Sequence, residues 1–332
     1  MSSDTRSVII KGTGSYAPEK ILSNDDLAKL VDTSDEWITA RTGIRSRRIA
    51  ADDEYASDLG SKAAARALED AGITAEEVDI VIVATITPDM PFPSTACIIQ
   101  AKLGVGNALC MDIEAACSGF LYIAEVASSL LKNGNYKHAL IIGTEKLSSI
   151  LDWEDRTTCV LFGDGAGAAI LSLSDEPNTG LIDFKLGADG KNSELLHMPG
   201  GGSAVPASTN SLETRQHFLK MRGREVFKSA VRVMEQSAIE ILDQNQLNAN
   251  DIKCVIPHQA NLRIIESLSN RLELPLDKFY LNLDKYGNTS AASIPIALDE
   301  AYRTGRLKSG DIILMVAFGA GLTWGASLLK WR

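Results

Sequence analysis

Residues 78–84, VDIVIVA, form an almost unbroken run of β-branched apolar residues. A run this short reads as a strand, and one this uniformly apolar reads as a strand buried on both faces. Six residues with the same character recur as IKCVIP at 252–257, and GAAIL at 167–171 is matched by GASLL at 325–329. The elements around each pair follow one order. In the first half, Tyr55–Ala71 has helical spacing and stops at Gly72. VDIVIVA follows, then the strand ALCMDI (108–113), an apolar helix over Gly119–Lys132, the strand HALIIGTE (138–145) and GDGAGAAILSL (163–173). In the second half a helix from Glu225 is followed by IKCVIP, FYLNL (279–283), GNTSAASIPIALDEA (287–301), DIILMVAFG (311–319) and LTWGASLLKW (322–331). This order predicts two pseudo-symmetric βαβα-type halves, 1–175 and 176–332, each a sheet covered by helices. The polar, glycine-rich stretch 186–215 reads as a surface insertion between them.

The chain has 332 residues, 45% hydrophobic and 23% charged, which suits a folded globular protein with a sizeable core. A formal net charge of −10 argues against general affinity for nucleic acid or an anionic membrane, so recognition of a phosphate needs a local basic patch. No apolar run reaches the roughly 18 residues of a membrane span. The polar opening MSSDTRS does not read as a signal peptide. Five cysteines, at 97, 110, 117, 159 and 254, contain no C-x-x-C pair. Their odd number favours reduced thiols in the cytoplasm over disulfides or a metal site. The glycine clusters KGTGSYAP (11–18) and GDGAGAA (163–169) lack the strand–turn–helix context of a dinucleotide site.

Cys117 stands in MDIEAACSGF (111–120), where a strand ends and an apolar helix begins. A helix start offers unpaired N–H groups and about half a positive charge, conditions that lower a thiol pKa. Packing and nucleophilic attack are both open on position alone; Cys110, Cys159, Cys254 and Cys97 read as packing residues. His258 ends the strand IKCVIP, with Pro257 closing its pairing. Asn288, in YGNTSAAS, occupies in the second half the place Cys117 occupies in the first. Joint placement at matching joints favours chemistry over the ordinary reading of each residue alone.

SDEWITARTGIRSRR (34–48), AACSGF (115–120), FGDGAGAAIL (162–171), PHQANLRI (257–264), YGNTSAASIPIAL (286–298) and FGAGLTWGASLL (318–329) together resemble the β-ketoacyl-acyl-carrier-protein synthase III family of thiolase-like condensing enzymes. The resemblance spans nearly the whole chain. It implies a thiolase-like α/β fold layered α-β-α-β-α, and a catalytic set of Cys117, His258 and Asn288. Related elongating synthases would place a second His at 288. The implied reaction loads an acyl group from acyl-CoA onto Cys117 and condenses it with malonyl-acyl-carrier-protein, starting fatty acid synthesis. Backbone N–H groups of Cys117 and Ala320 would hold the oxyanion, with alanine where the family often has glycine. No cofactor or metal is implied, since acyl-CoA is a substrate. A same-fold enzyme of specialised metabolism using malonyl-CoA is the alternative; a cysteine hydrolase and a non-catalytic carrier-binding protein are more distant ones.

Thr33 and Glu36 form a capping-box pattern that predicts a short helix, and Trp37 and Arg41, four apart, share its face. An indole beside a guanidinium can stack a purine and pair with a phosphate. Arg45, Arg47 and Arg48 add basic charge, although a solvated basic loop is the plainer reading. The resemblance assigns Trp37, Arg41, Arg156 and Asn261 to CoA. It assigns Gln259, Ala260, Asn261, Leu262 and Arg263, with Lys228 beside the RGR of 222–224, to docking of the acidic acyl carrier protein. It further implies a homodimer, in which Phe92 closes the partner's acyl pocket, and an acyl pocket shaped by Phe92, Leu147, Phe162 and Met221. A buried loop anchor is the alternative for Phe92.

Overall fold

A computed structural model describes residues 6–177 and 179–332. Two sheets carry the chain. The first has five strands in the order Ser7–Tyr16, Gly165–Ser174, His138–Glu145, Ile80–Ala84, Leu109–Ile113. The second has four, in the order Gly180–Ala188, Thr323–Lys330, Ile312–Phe318, Ile252–Pro257. Ile80–Ala84 runs parallel to His138–Glu145, which is antiparallel to Gly165–Ser174. Ile252–Pro257 repeats this with Ile312–Phe318 and Thr323–Lys330. The pairs matched by sequence therefore occupy equivalent strands.

Side-chain alternation along these strands builds the layers. Ile80, Ile82 and Ala84 point to one side and pack with Phe120, Ile123, Ala127, Ile294, Leu298, Ile256 and Met315. These residues belong to both sheets and to the helices Gly119–Asn133 and Ser293–Arg303, which form the central layer. Val81 and Val83 point the other way, onto the helices Ala56–Ala71 and Thr95–Leu103. Val255, Leu314 and Val316 meet Gly223–Gln244 and Leu262–Arg271 on the outside of the second sheet. The result is α-β-α-β-α, and strands covered on both faces explain why VDIVIVA is apolar throughout.

Several sequence expectations need correction. FYLNL is no strand. Only Phe279 bridges to Val255, and the short helix Leu283–Tyr286 follows. The Gln259 amide takes over the pairing: its Nε2 donates to Tyr280 O at 3.0 Å and its Oε1 accepts from Asn282 N at 3.1 Å. The 186–215 stretch is not wholly an insertion. Leu186, Gly187 and Ala188 pair within the second sheet, and Leu195 and Leu196 are buried. Pairing beside the second sheet's last strand also continues past Pro257, since His258 N donates to Val316 O at 2.8 Å.

The helix Asp35–Thr42 is capped by Ser34, whose side chain accepts from Trp37 N, and not by the Thr33–Glu36 pair. Arg47 is fully buried, donating to Leu22 O, Asn24 Oδ1 and Val160 O, so it ties loops together and adds nothing to a surface basic patch. Cys97 is exposed and Cys110 half-buried, while Cys159 and Cys254 are buried. No helix among the described residues is long and apolar enough to cross a membrane.

Candidate active site

Two short turns, one from each half, face each other in the central layer. Ala116–Ser118 leads into the helix Gly119–Asn133, and Ser290–Ala292 leads into Ser293–Arg303. Both open on a non-glycine residue in the left-handed region: Ala116 at φ 46° and Ser290 at φ 48°. Strain at matching positions identifies them as equivalent turns. The equivalence corrects the sequence reading by three residues. Ala291, not Asn288, stands in the place of Cys117; Asn288 corresponds to Glu114.

Cys117, His258 and Asn288 nevertheless meet, all lining one cavity of about 160 Å³. All three are buried. A second, larger cavity of about 730 Å³ also reaches Cys117 and is lined by apolar Leu147, Ile150, Phe162 and Leu219 and by polar Asp112, Glu114, His197 and Ser290. Cys117 thus lines both spaces, as do Phe162 and Leu196.

Each group's hydrogen bonds decide what it can offer. His258 Nδ1 is 2.7 Å from the Ser293 hydroxyl, which fixes the ring. Burial pushes the imidazole down to about 3, so it is neutral at physiological pH. Asn288 Oδ1 accepts from Ser290 N at 2.8 Å, leaving its Nδ2 as the donor for a ligand. Burial pushes the Cys117 thiol up to about 12. The direction is opposite to the lowering expected at a helix start, because the residue sits in a buried turn ahead of the helix and loses its water. The resting sulfur is a protonated thiol.

The FGAG loop abuts this turn. A Cβ on Gly319 would lie 2.6 Å from Cys117 N, and Thr323 Oγ1 donates to Ala115 O at 2.8 Å. In this loop the left-handed conformation falls on Gly321 and Leu322, and Ala320 has ordinary backbone geometry. Alanine is therefore no obstacle at 320.

The Arg41 guanidinium lies 4.3 Å from the Trp37 ring centroid and that of Arg156 lies 5.6 Å from it, so two exposed arginines flank a half-buried indole. Arg156 also pairs with Asp32 at 3.1 Å. Asn261 joins this cluster to the cavity. It lines the cavity, caps the helix Leu262–Arg271 and donates from Nδ2 to Arg41 O at 3.2 Å. Arg263 is exposed and donates to Ala40 O at 2.8 Å, and Lys228 is exposed on the neighbouring helix. Ala260 and Leu262 are half-buried. Gln259 is buried, its amide spent on Pro257, Tyr280 and Asn282, and its side chain is closed to a docking protein. The four residues expected in an acyl pocket divide. Leu147 lines the larger cavity, Phe162 lines both, Met221 lines the smaller one and Phe92 lines neither. Phe92 is 84% exposed, which rules out the buried-anchor reading.

Sequence reasoning missed Ser293, Glu145 and Ser290. Only the serines carried a signal, in the NTSAAS run at the helix start.

Two sheets enclosing a pair of helices, with a thiol, an imidazole and a carboxamide gathered where those helices begin, define the class as a thiolase-like condensing enzyme. Family models described as 3-oxoacyl-[acyl-carrier-protein (ACP)] synthase III match residues 111–190, and the C-terminal model of the same description matches 242–331. A β-ketoacyl-[acyl-carrier-protein] synthase III of Caldanaerobacter subterraneus subsp. tengcongensis is 58% identical over 97% of both chains. The crystal structure of 3-oxoacyl-[acyl-carrier-protein] synthase III from Aquifex aeolicus superposes with TM-score 0.91 at 48% identity, covering 98% of this chain and 100% of that one. The priming β-ketosynthase of the R1128 polyketide pathway superposes with TM-score 0.92 at 37% identity, covering 100% and 98%. The chain belongs to the β-ketoacyl-acyl-carrier-protein synthase III family.

Proposed function

We propose that the protein condenses an acyl-CoA primer with malonyl-acyl-carrier-protein, releasing CO₂ and giving the β-ketoacyl-acyl-carrier-protein that starts fatty acid synthesis. The observation that carries this reading is that Cys117 lines two cavities, one shared with His258 and Asn288 and the other with Leu147 and Phe162. The halves 1–175 and 176–332 divide the work. The first supplies the sulfur, and the second supplies the groups that act on the malonyl unit.

Trp37, Arg41 and Arg156 hold the CoA nucleotide, and Asn261 guides its arm inward. Cys117 sulfur attacks the thioester carbonyl, CoA leaves as its thiol, and the acyl chain rests against Leu147 and Phe162. The backbone N–H groups of Cys117 and Ala320 bind the oxygen as it gains charge. Exposed Arg263, Lys228, Arg222 and Arg224 attract the acidic carrier protein. His258 and Asn288 then donate hydrogen bonds to the malonyl thioester oxygen, where charge develops as CO₂ departs. For His258 to donate from Nε2, Ser293 must donate its hydroxyl proton to Nδ1. A neutral ring locked by Ser293 is suited to that role, and Asn288 Nδ2 is the second donor.

The exposed Phe92 supports a homodimer in which it reaches the partner's acyl cavity. Five unpaired cysteines among the described residues support work in the cytoplasm. Incubation with acyl-CoAs followed by peptide mass spectrometry should place the acyl group on Cys117; an unmodified Cys117 would sink the proposal. The resemblance to a polyketide priming synthase favours a second reading, condensation in specialised metabolism. An equal or higher rate with malonyl-CoA than with malonyl-acyl-carrier-protein would select it.

A further inference from the structure

The mechanism above leaves the fate of the Cys117 proton open. His258 is a weak base in this setting, because burial holds it neutral. One buried acid near the thiol has no role so far. Glu145 ends the strand His138–Glu145 and has no exposed surface. Its Oε2 accepts from Thr87 Oγ1 at 2.6 Å, Ile86 N at 3.1 Å and Thr85 Oγ1 at 3.2 Å. Its Oε1 takes only a long bond from Ile86 N at 3.3 Å, which leaves acceptor capacity on that side.

Ser290 fills the space between. Its hydroxyl is buried and has no hydrogen-bond partner, a costly state for a polar group. Its turn packs against both the Cys117 turn and the strand that ends at Glu145, and its hydroxyl favours the charged forms of the two groups. Gly143 makes this approach possible, because a Cβ there would collide with the Ala291 carbonyl and push the Ser290 turn off the strand. Ser290 and Cys117 both line the larger cavity.

We propose that Ser290 and Glu145 form a buried proton relay for Cys117, with Glu145 acting through Ser290 as a positioning base. As sulfur attacks the acyl-CoA carbonyl, the S–H proton passes to Ser290 Oγ while the Ser290 proton passes to Glu145. Sulfur forms its new bond to the acyl carbon, the bond to CoA sulfur breaks, and the CoA thiolate takes a proton from solvent. In condensation the malonyl-derived carbanion bonds to the acyl carbon. The Cys117–acyl bond breaks, and Glu145 returns its proton through Ser290 to the departing sulfur. Each turnover thus consumes one solvent proton and restores the resting thiol.

Burial raises Glu145 to about 7, so the carboxylate needed to accept the proton appears as pH rises through neutrality. Other charged groups on adjacent elements are engaged elsewhere or stay neutral. Asp112 accepts from Thr95 N and Ala96 N, and Lys146 donates to the carbonyls of Ala51 and Glu54. Glu114 is exposed, and His258 is neutral over this range.

The proposal rests on the condensing-enzyme reading but is tested by a separate readout. The rate of Cys117 alkylation by iodoacetamide is measured from pH 5.5 to 9.5 in the full-length wild type, Glu145→Gln and Ser290→Ala. The wild type should show a step near pH 7, and both variants should lose it, with alkylation at pH 7.5 slower by roughly 10²-fold. Persistence of the step in either variant overturns the relay. Should Glu145→Gln fail to fold, Ser290→Ala decides alone, since it leaves the bonds from Thr85, Ile86 and Thr87 to Glu145 in place. In parallel, wild type that forms no acyl-Cys117 from acetyl-CoA defeats the condensing-enzyme reading and leaves the alkylation profile readable.

Discussion

The turns Ala116–Ser118 and Ser290–Ala292 have the same backbone, the same strained first residue and the same following helix, yet they do different work. The first presents a thiol to two cavities. The second presents Ala291 to neither; its Ser290 N holds Asn288, and Ser293, first in the helix that follows, holds His258. A repeated scaffold thus supplies two helix starts at one point, one bearing a thiol and the other an alanine at the matching position.

The largest effect should come from moving the sulfur between the turns. Cys117→Ala should lose condensation by on the order of 10⁴-fold. Adding Ala291→Cys should not restore an acyl adduct, because position 291 opens on no cavity; an adduct at residue 291 by mass spectrometry would break the asymmetry. Next come the groups held by the second turn. His258→Ala and Asn288→Ala should each lower the condensation rate by roughly 10²–10³-fold while acyl-Cys117 still forms from acyl-CoA, a split seen by comparing adduct yield with turnover.

A smaller effect, about tenfold, is expected for Ser293→Ala, with kcat falling and the KM for acyl-CoA unchanged, since only the His258 tautomer is released. The pH dependence of stability gives the mildest test. His258 is held below its ordinary value of 6.5, so the unfolded chain binds a proton that the native site refuses. Stability from this residue is present above about pH 6.5 and declines as pH falls toward 3. Urea melts at pH 7 and pH 5 should show a smaller pH penalty for His258→Gln than for wild type.

Much of this was legible along the chain. The paired strands VDIVIV and IKCVIP, and GAAIL and GASLL, exposed the duplication because strands buried on both faces must be apolar throughout. Cys117 and His258 were legible because each stands at the end of a strand, where α/β sites open. Asn288 was found by a correspondence three residues out of register, since both stretches are rich in small residues and only backbone φ values align them. Arg47 and Gln259 misled for a shared reason. A charged or polar residue in a polar stretch reads as surface, and nothing in one dimension shows a carbonyl waiting in a distant loop.

The sequence by itself determined the repeated order of strands and helices and the family motifs, because periodicity and motif spacing are local properties. Only the tertiary structure decided the chemistry of the reactive groups. Burial raised the Cys117 thiol and held His258 neutral, and packing of the two halves set the Ser290 turn against the Cys117 turn. Desolvation and contact depend on what surrounds a residue in space, and that is settled only when the two halves close on each other.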